Sequence, residues 1–162
     1  MKIVFLCSGN TCRSPMAEGI FKKMLRDKNV SLLNSNETIE VSSAGFSNYS
    51  GEDISEYAIL ACKPHGIDLS DYKTTNIKDV DFESVDLVLT ATVENREKIK
   101  KFHPDINAYT IKEYANLNDD IEDLDIADPS GGGLGDYVES YFEITEALEK
   151  ILKTHDEFIL KG

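Results

Sequence analysis

A chain of 162 residues, 41% hydrophobic and 29% charged, has the size and composition of a single domain, 1–162, around one core. Its net charge of −13 argues against a nucleic-acid partner, because such binding relies on Lys and Arg to neutralise phosphates. The same charge repels an anionic substrate at long range, so an anion site here must be local and dense in donors. No apolar run approaches the ~20 residues that cross a membrane, and residues 1–6 are too short for a signal peptide's apolar region, so no membrane partner and a cytoplasmic location are expected. Three cysteines, Cys7, Cys12 and Cys62, argue against a disulfide framework. None has zinc-site spacing, so neither a metal nor another cofactor is expected.

Residues 2–6 are short, β-branched and aromatic, which predicts a buried strand. Residues 7–13 form a turn-rich loop. Ser14 is a good N-cap and Pro15 suits the first helical position, so a helix is predicted to start there. Met16, Ala17, Ile20, Phe21, Met24 and Leu25 recur at helical spacing behind them. Residues 29–37 are a polar connector and 39–43 a second strand, followed by a loop with Gly45, Asn48 and Gly51. Residues 54–63 predict a helix ending near Pro64-His65-Gly66. Residues 85–90 predict a strand, 93–102 a helix closed by Pro104, and 107–111 a fourth strand. Residues 116–125 are an acidic connector. From Leu134 onward, Tyr137, Tyr141, Ile144, Leu148, Ile151 and Leu152 form one long helical stripe.

This alternation predicts an α/β fold, a parallel sheet with helices on both faces, with no repeat or linker. Ligands of such folds bind beyond the carboxyl ends of the strands, near a switch point. The loop after the first strand lies at such an end.

That loop reads Cys7-Ser8-Gly9-Asn10-Thr11-Cys12-Arg13-Ser14. A loop running from strand into helix can aim successive backbone N–H groups at one spot, and the helix adds its positive end. Gly9 and Asn10 tolerate the positive φ that such curling needs. Arg13 offers a planar fork of donors that matches two phosphate oxygens. Residues 8–14 thus form a seat for a tetrahedral dianion. Cys7 stands at its first position, where such donors would stabilise the thiolate that a nucleophile needs. The thiolate would attack phosphorus, the donors would hold the transition state, and water would hydrolyse the phosphocysteine to inorganic phosphate. The loop is not an ATP-binding loop, because no G-K-[ST] closes it.

Residues 6–18, Leu-Cys-Ser-Gly-Asn-Thr-Cys-Arg-Ser-Pro-Met-Ala-Glu, closely resemble the signature of the low-molecular-weight protein tyrosine phosphatases. Ser42-Ser43-Ala44-Gly45, Gly66-Ile67-Asp68-Leu69-Ser70 and Asp128-Pro129 follow in the order of that family. The resemblance implies a four-stranded parallel sheet, no metal and a phosphorylated protein as substrate. It implies Cys7 as nucleophile, Arg13 as phosphate clamp and Asp128 as the acid on a mobile loop. Asn10 and Ser14 match residues that shape the loop and assist the thiolate, and Ser43 matches a supporting hydroxyl. An acid is also a chemical need, since an alkoxide, phenoxide or guanidine leaves poorly without a proton.

The chain departs from the family pattern at three places. Thr11 replaces a common Ile or Leu, Ser130 replaces an aromatic after Asp-Pro, and Asp71 replaces a common supporting His. Thr11 resembles the bacterial protein-arginine phosphatases of the same family. Phosphotyrosine, the default that the family resemblance implies, is the expected substrate, with phosphoarginine as the alternative that Thr11 raises. Phe46 and Tyr49 are the candidate substrate walls, with ordinary loop packing as the plain alternative. Cys12 is placed to form a protective disulfide with Cys7 under oxidation, or merely to pack. Cys62 is expected as core filler, and His65, His103 and His155 as surface or core residues. An arsenate reductase would need a relay of further cysteines, and a non-catalytic phosphate-binding module would need neither Cys7 nor an acid.

Overall fold

A computed structural model describes residues 1–28, 30–32, 38–155 and 158–160 of the chain. β1 (Lys2–Cys7) leads into α1 (Arg13–Asp27), followed by β2 (Val30–Leu32), β3 (Glu40–Gly45) and α2 (Glu56–Cys62). β4 (Leu87–Thr90), α3 (Val93–Phe102), β5 (Ala108–Thr110), α4 (Ile111–Ala115), α5 (Leu134–Thr154) and β6 (Phe158–Leu160) complete the order. The expected four-stranded parallel sheet is present, in the order β3-β1-β4-β5. From β1 the chain passes to β3 on one side and then crosses to β4 on the other. The carboxyl end of β1 is therefore the switch point of the sheet.

The two-residue repeat of the strand sets the two faces. Ile3, Phe5 and Cys7 join a buried cluster with α1, α2, α4 and α5, while Val4 and Leu6 join Phe82, Val88 and Ile99 beneath α3. Helices thus cover both faces, as the sequence predicts. α1 lies close to the segment after α2: a Cβ on Gly19 would stand 2.5 Å from Leu69 Cδ2 and 2.9 Å from Ile67 Cγ2.

Several boundaries differ from expectation, each for a local reason. α1 starts at Arg13, with Cys12 at its N-cap and no side-chain cap. Ser14 is inside the helix because its hydroxyl is engaged elsewhere. The strand expected at 85–90 begins at Leu87, since Phe82–Ser84 is a 3-10 turn capped by Asp81. Helix 54–63 shortens to Glu56–Cys62, with Lys63–His65 continuing as a 3-10 turn that Gly66 ends at φ +76°. The expected connector at 29–37 falls partly outside the described residues, and within it Val30–Leu32 pairs antiparallel with Phe158–Leu160. The fourth strand stops at Thr110, because Thr110 and Glu113 form a capping box that starts α4.

Candidate active site

The segment between β1 and α1 turns at Asn10, whose φ of +54° is the positive value that Asn tolerates. Gly9, expected to share that conformation, does not adopt it. The turn is pressed against the end of β3, where a Cβ on Gly45 would lie 2.6 Å from the Asn10 nitrogen. The N–H groups of Gly9, Thr11 and Cys12 find no acceptor among the described residues.

A directed chain of hydrogen bonds runs through this turn. Asn10 Nδ2 donates both hydrogens, to Ser14 Oγ at 2.8 Å and Ser43 Oγ at 3.0 Å. Ser43 directs its own hydrogen to Glu18 Oε1 at 2.7 Å, leaving the Ser14 hydrogen for Cys7 Sγ at 2.9 Å. The Asn10 N–H also donates to Cys7 Sγ, at 3.3 Å. Two donors therefore converge on a buried sulfur, an arrangement that suits an anion better than a thiol. Asn10 is itself held by Thr75 N–H donating to its Oδ1 at 2.8 Å.

Arg13 is 5% exposed. One terminal nitrogen donates to the Ile126 carbonyl at 2.9 Å, and the other lies 3.7 Å from Asp128 Oδ2. Its buried Nε has no partner among the described residues. A buried charged donor without an acceptor is costly, so this geometry fits an anion at the mouth of the loop. Ile126 N–H donates to Ala91 O at 2.8 Å, which ties the Arg13 anchor to the end of β4. Asp128 is half-exposed, and its Oδ1 accepts the Ser130 N–H at 3.0 Å. Glycines at 131–133 follow, with Gly131 at φ +83°. The fold thus brings Cys7, Arg13 and Asp128, separated by up to 121 positions, to one end of the sheet.

The remaining candidates divide. Phe46 packs against the cluster under α3, with Lys98 Nζ 5.6 Å above its ring, whereas Tyr49 is 81% exposed. Thr11 is partly exposed, and its carbonyl accepts the Ser55 N–H at 2.9 Å. All three cysteines are free, and Cys12 Sγ lies 3.3 Å from the Tyr137 hydroxyl. Burial, then the Cys12 contact, pushes the Tyr137 hydroxyl above its ordinary pKa. Cys62 is fully buried, and burial pushes its thiol up to about 12. His65 stacks on Tyr141, and His103 packs on Phe82.

Glu18, Ser43 and Tyr137 enclose this site from three different elements, yet only Ser43 stands out in the sequence. Glu18 pairs with Lys22 at 2.6 Å one helical turn on, and Lys22 lies over the Tyr72 ring at 5.4 Å. Asp71 is exposed, so Tyr72 is the side chain of that segment that reaches the Glu18–Lys22 pair. No group of three or more His, Cys, Asp or Glu side chains among the described residues is arranged to hold a metal ion. No helix among them is long and apolar enough to cross a membrane.

The family model of low molecular weight phosphotyrosine protein phosphatases matches residues 2–158. A protein of that description from Saccharomyces cerevisiae is 31% identical over 156 residues, 94% of each chain. A Bacillus subtilis protein described as a protein-arginine-phosphatase is 30% identical over 158 residues, 94% of this chain and 95% of the other. Among solved structures, a low molecular weight protein tyrosine phosphatase from T. tengcongensis superposes with a TM-score of 0.81 at 30% identity, covering 96% of this chain and 99% of that one. A YwlE mutant from Bacillus subtilis gives 0.81 at 29% identity, covering 94% and 97%.

Proposed function

The chain belongs to the low molecular weight phosphotyrosine protein phosphatase family, and from that membership we propose that it removes phosphate from tyrosine side chains of proteins through a phosphocysteine at Cys7. The observation that carries this function is the pairing of a buried Arg13, its Nε unsatisfied, with a sulfur that accepts from Ser14 and Asn10. Residues 1–162 act as one phosphatase domain.

The Cys7 thiolate attacks phosphorus in line, forming the S–P bond as the P–O bond to tyrosine breaks. Asp128 gives its proton to the departing phenolate oxygen. The N–H groups of residues 8–14 and the Arg13 fork hold the three equatorial oxygens. A water then attacks phosphorus, Asp128 takes its proton, and the S–P bond breaks to release inorganic phosphate. Ser14 donates to the sulfur as it leaves with its electron pair. Three free thiols suit a reducing compartment, which supports a cytoplasmic site of action.

Phosphoarginine is the second substrate to weigh, because Thr11 places a hydroxyl in the loop and one relative is described as a protein-arginine-phosphatase. A thiol relay for arsenate reduction gains no support from Cys62, which is buried and hard to ionise. A non-catalytic phosphate-binding role leaves Cys7 and Asp128 without a purpose. The test compares kcat/KM on phosphotyrosine and phosphoarginine peptides in the wild type and in Thr11→Ile. The swap is expected to shift the ratio toward tyrosine; an unmoved ratio removes Thr11 as a selector. Loss of all turnover in Cys7→Ser is expected, and retained turnover would sink the phosphocysteine route.

A further inference from the structure

The residue after the nucleophile carries a hydroxyl that the steps above leave unused. Ser8 is exposed at the carboxyl end of β1. Its backbone is pinned, because its carbonyl accepts the Phe46 and Ser47 N–H groups at 2.8 and 3.0 Å and the Ser47 hydroxyl at 3.0 Å. Its side chain is held as well: Oγ accepts from Asn95 Nδ2 at 3.3 Å. Asn95 lies in the first turn of α3, which leaves β4 at the same end of the sheet. It is 1% exposed, and its N–H donates to Thr92 Oγ1 at 3.1 Å. The Asn95 Oδ1 is buried and has no donor among the described residues. An amide oxygen left unsatisfied in the interior is costly, so an apolar residue would fill this place more stably if filling were its only task.

We propose that Asn95 positions the Ser8 hydroxyl to accept an N–H of a guanidine leaving group, which adds turnover of phosphoarginine beside that of phosphotyrosine. This assignment rests on the phosphatase function above. A phosphorylated guanidine presents N–H donors beside the nitrogen bonded to phosphorus, whereas an aryl ester presents only ring carbons there. With Asn95 Nδ2 on one lone pair, Ser8 Oγ keeps its second lone pair for such an N–H. The surroundings agree with a polar leaving group. Ser130 is exposed directly after Asp128-Pro129, and Thr11 is partly exposed in the loop. Asn95 acts through Ser8 and is a positioning residue.

The experiment measures kcat/KM on a phosphoarginine peptide and on p-nitrophenyl phosphate for the wild type, Ser8→Ala, Ser8→Thr, Asn95→Leu and the Ser8→Ala/Asn95→Leu double variant. Far-UV circular dichroism checks folding, and Asn95→Ala replaces Asn95→Leu if the latter does not fold. The ratio of phosphoarginine to p-nitrophenyl phosphate activity is expected to fall about threefold to tenfold in Ser8→Ala and in Asn95→Leu, the worth of one hydrogen bond. Ser8→Thr should restore it, and the double variant should fall no further than Ser8→Ala alone. A ratio unmoved by either single variant, or a wild type that turns over the aryl ester alone, overturns the proposal. A wild type inert on both substrates overturns the phosphatase function itself.

Discussion

Asn10 shows how much a single residue can settle in this site. Its backbone needs a positive φ, which glycine would also supply, but glycine would lose the amide that donates to Ser14 and Ser43. Those two bonds direct the Ser14 hydrogen at Cys7. Asp128 is the other residue with a role of its own. It stands beside Arg13 and remains half-exposed, which suits the proton donor of the proposed reaction. Asp128→Asn is expected to lower kcat on phenyl phosphate by roughly 10²–10⁴-fold while vanadate affinity holds, since the amide cannot give up a proton but leaves the cradle intact. Stopped-flow turnover and vanadate inhibition check the two halves, and unchanged kcat would remove Asp128 from the chemistry. Cys7, Arg13 and Ser14 are legible from a seven-residue spacing. Asn95 and Tyr137 are not, because their partners lie 87 and 125 positions away and no local pattern marks them.

At the scale of elements, the packing of one segment on another decides whether the loop keeps its shape. Gly45 ends β3 against the backbone of Gly9 and Asn10, with 2.8 Å and 2.6 Å left for a Cβ, and main chain there cannot yield. Gly45→Ala is expected to cut kcat/KM on p-nitrophenyl phosphate by about 100-fold or more and to cost about 1–3 kcal/mol in urea unfolding. Gly19→Ala should cost similar stability, since its Cβ would press on Leu69 and Ile67, but should keep most activity. Equal activity losses in both would show that the effect is global. The strand-helix alternation was readable because β1, β4, α3 and α5 carry clear periods. α4 escaped notice because it has only five residues, although its Thr110-x-x-Glu113 pattern is a helix-start signal. β2 and β6 are three residues each and specify each other only across the length of the chain.

Over the whole molecule, buried groups that keep their protons in the fold govern alkaline stability. Burial raises the Cys62 thiol from 9.0 to about 12, and burial also raises Tyr72 and Tyr141. The unfolded chain releases these protons first. The stabilisation is therefore fully present below about pH 9 and is lost as pH climbs from 9 towards 12. Urea midpoints should be flat near neutrality and decline above pH 9. Cys62→Ala should make that decline shallower by up to about 1.4 kcal/mol per pH unit. An identical slope would show that Cys62 is not protected in the fold. The net charge of −13 leaves no long-range attraction for phosphate, so in the proposed reaction anion binding falls to residues 7–14.

The Ile126 carbonyl that steadies Arg13 belongs to the main chain. No exchange of side chain can delete it, so position 126 is free to drift among apolar residues of similar volume while the clamp is inherited intact. A saturation library there should recover Val, Leu and Met as active clones and lose charged ones, which would expose a functional contact that comparison of sequences alone would pass over as mere core.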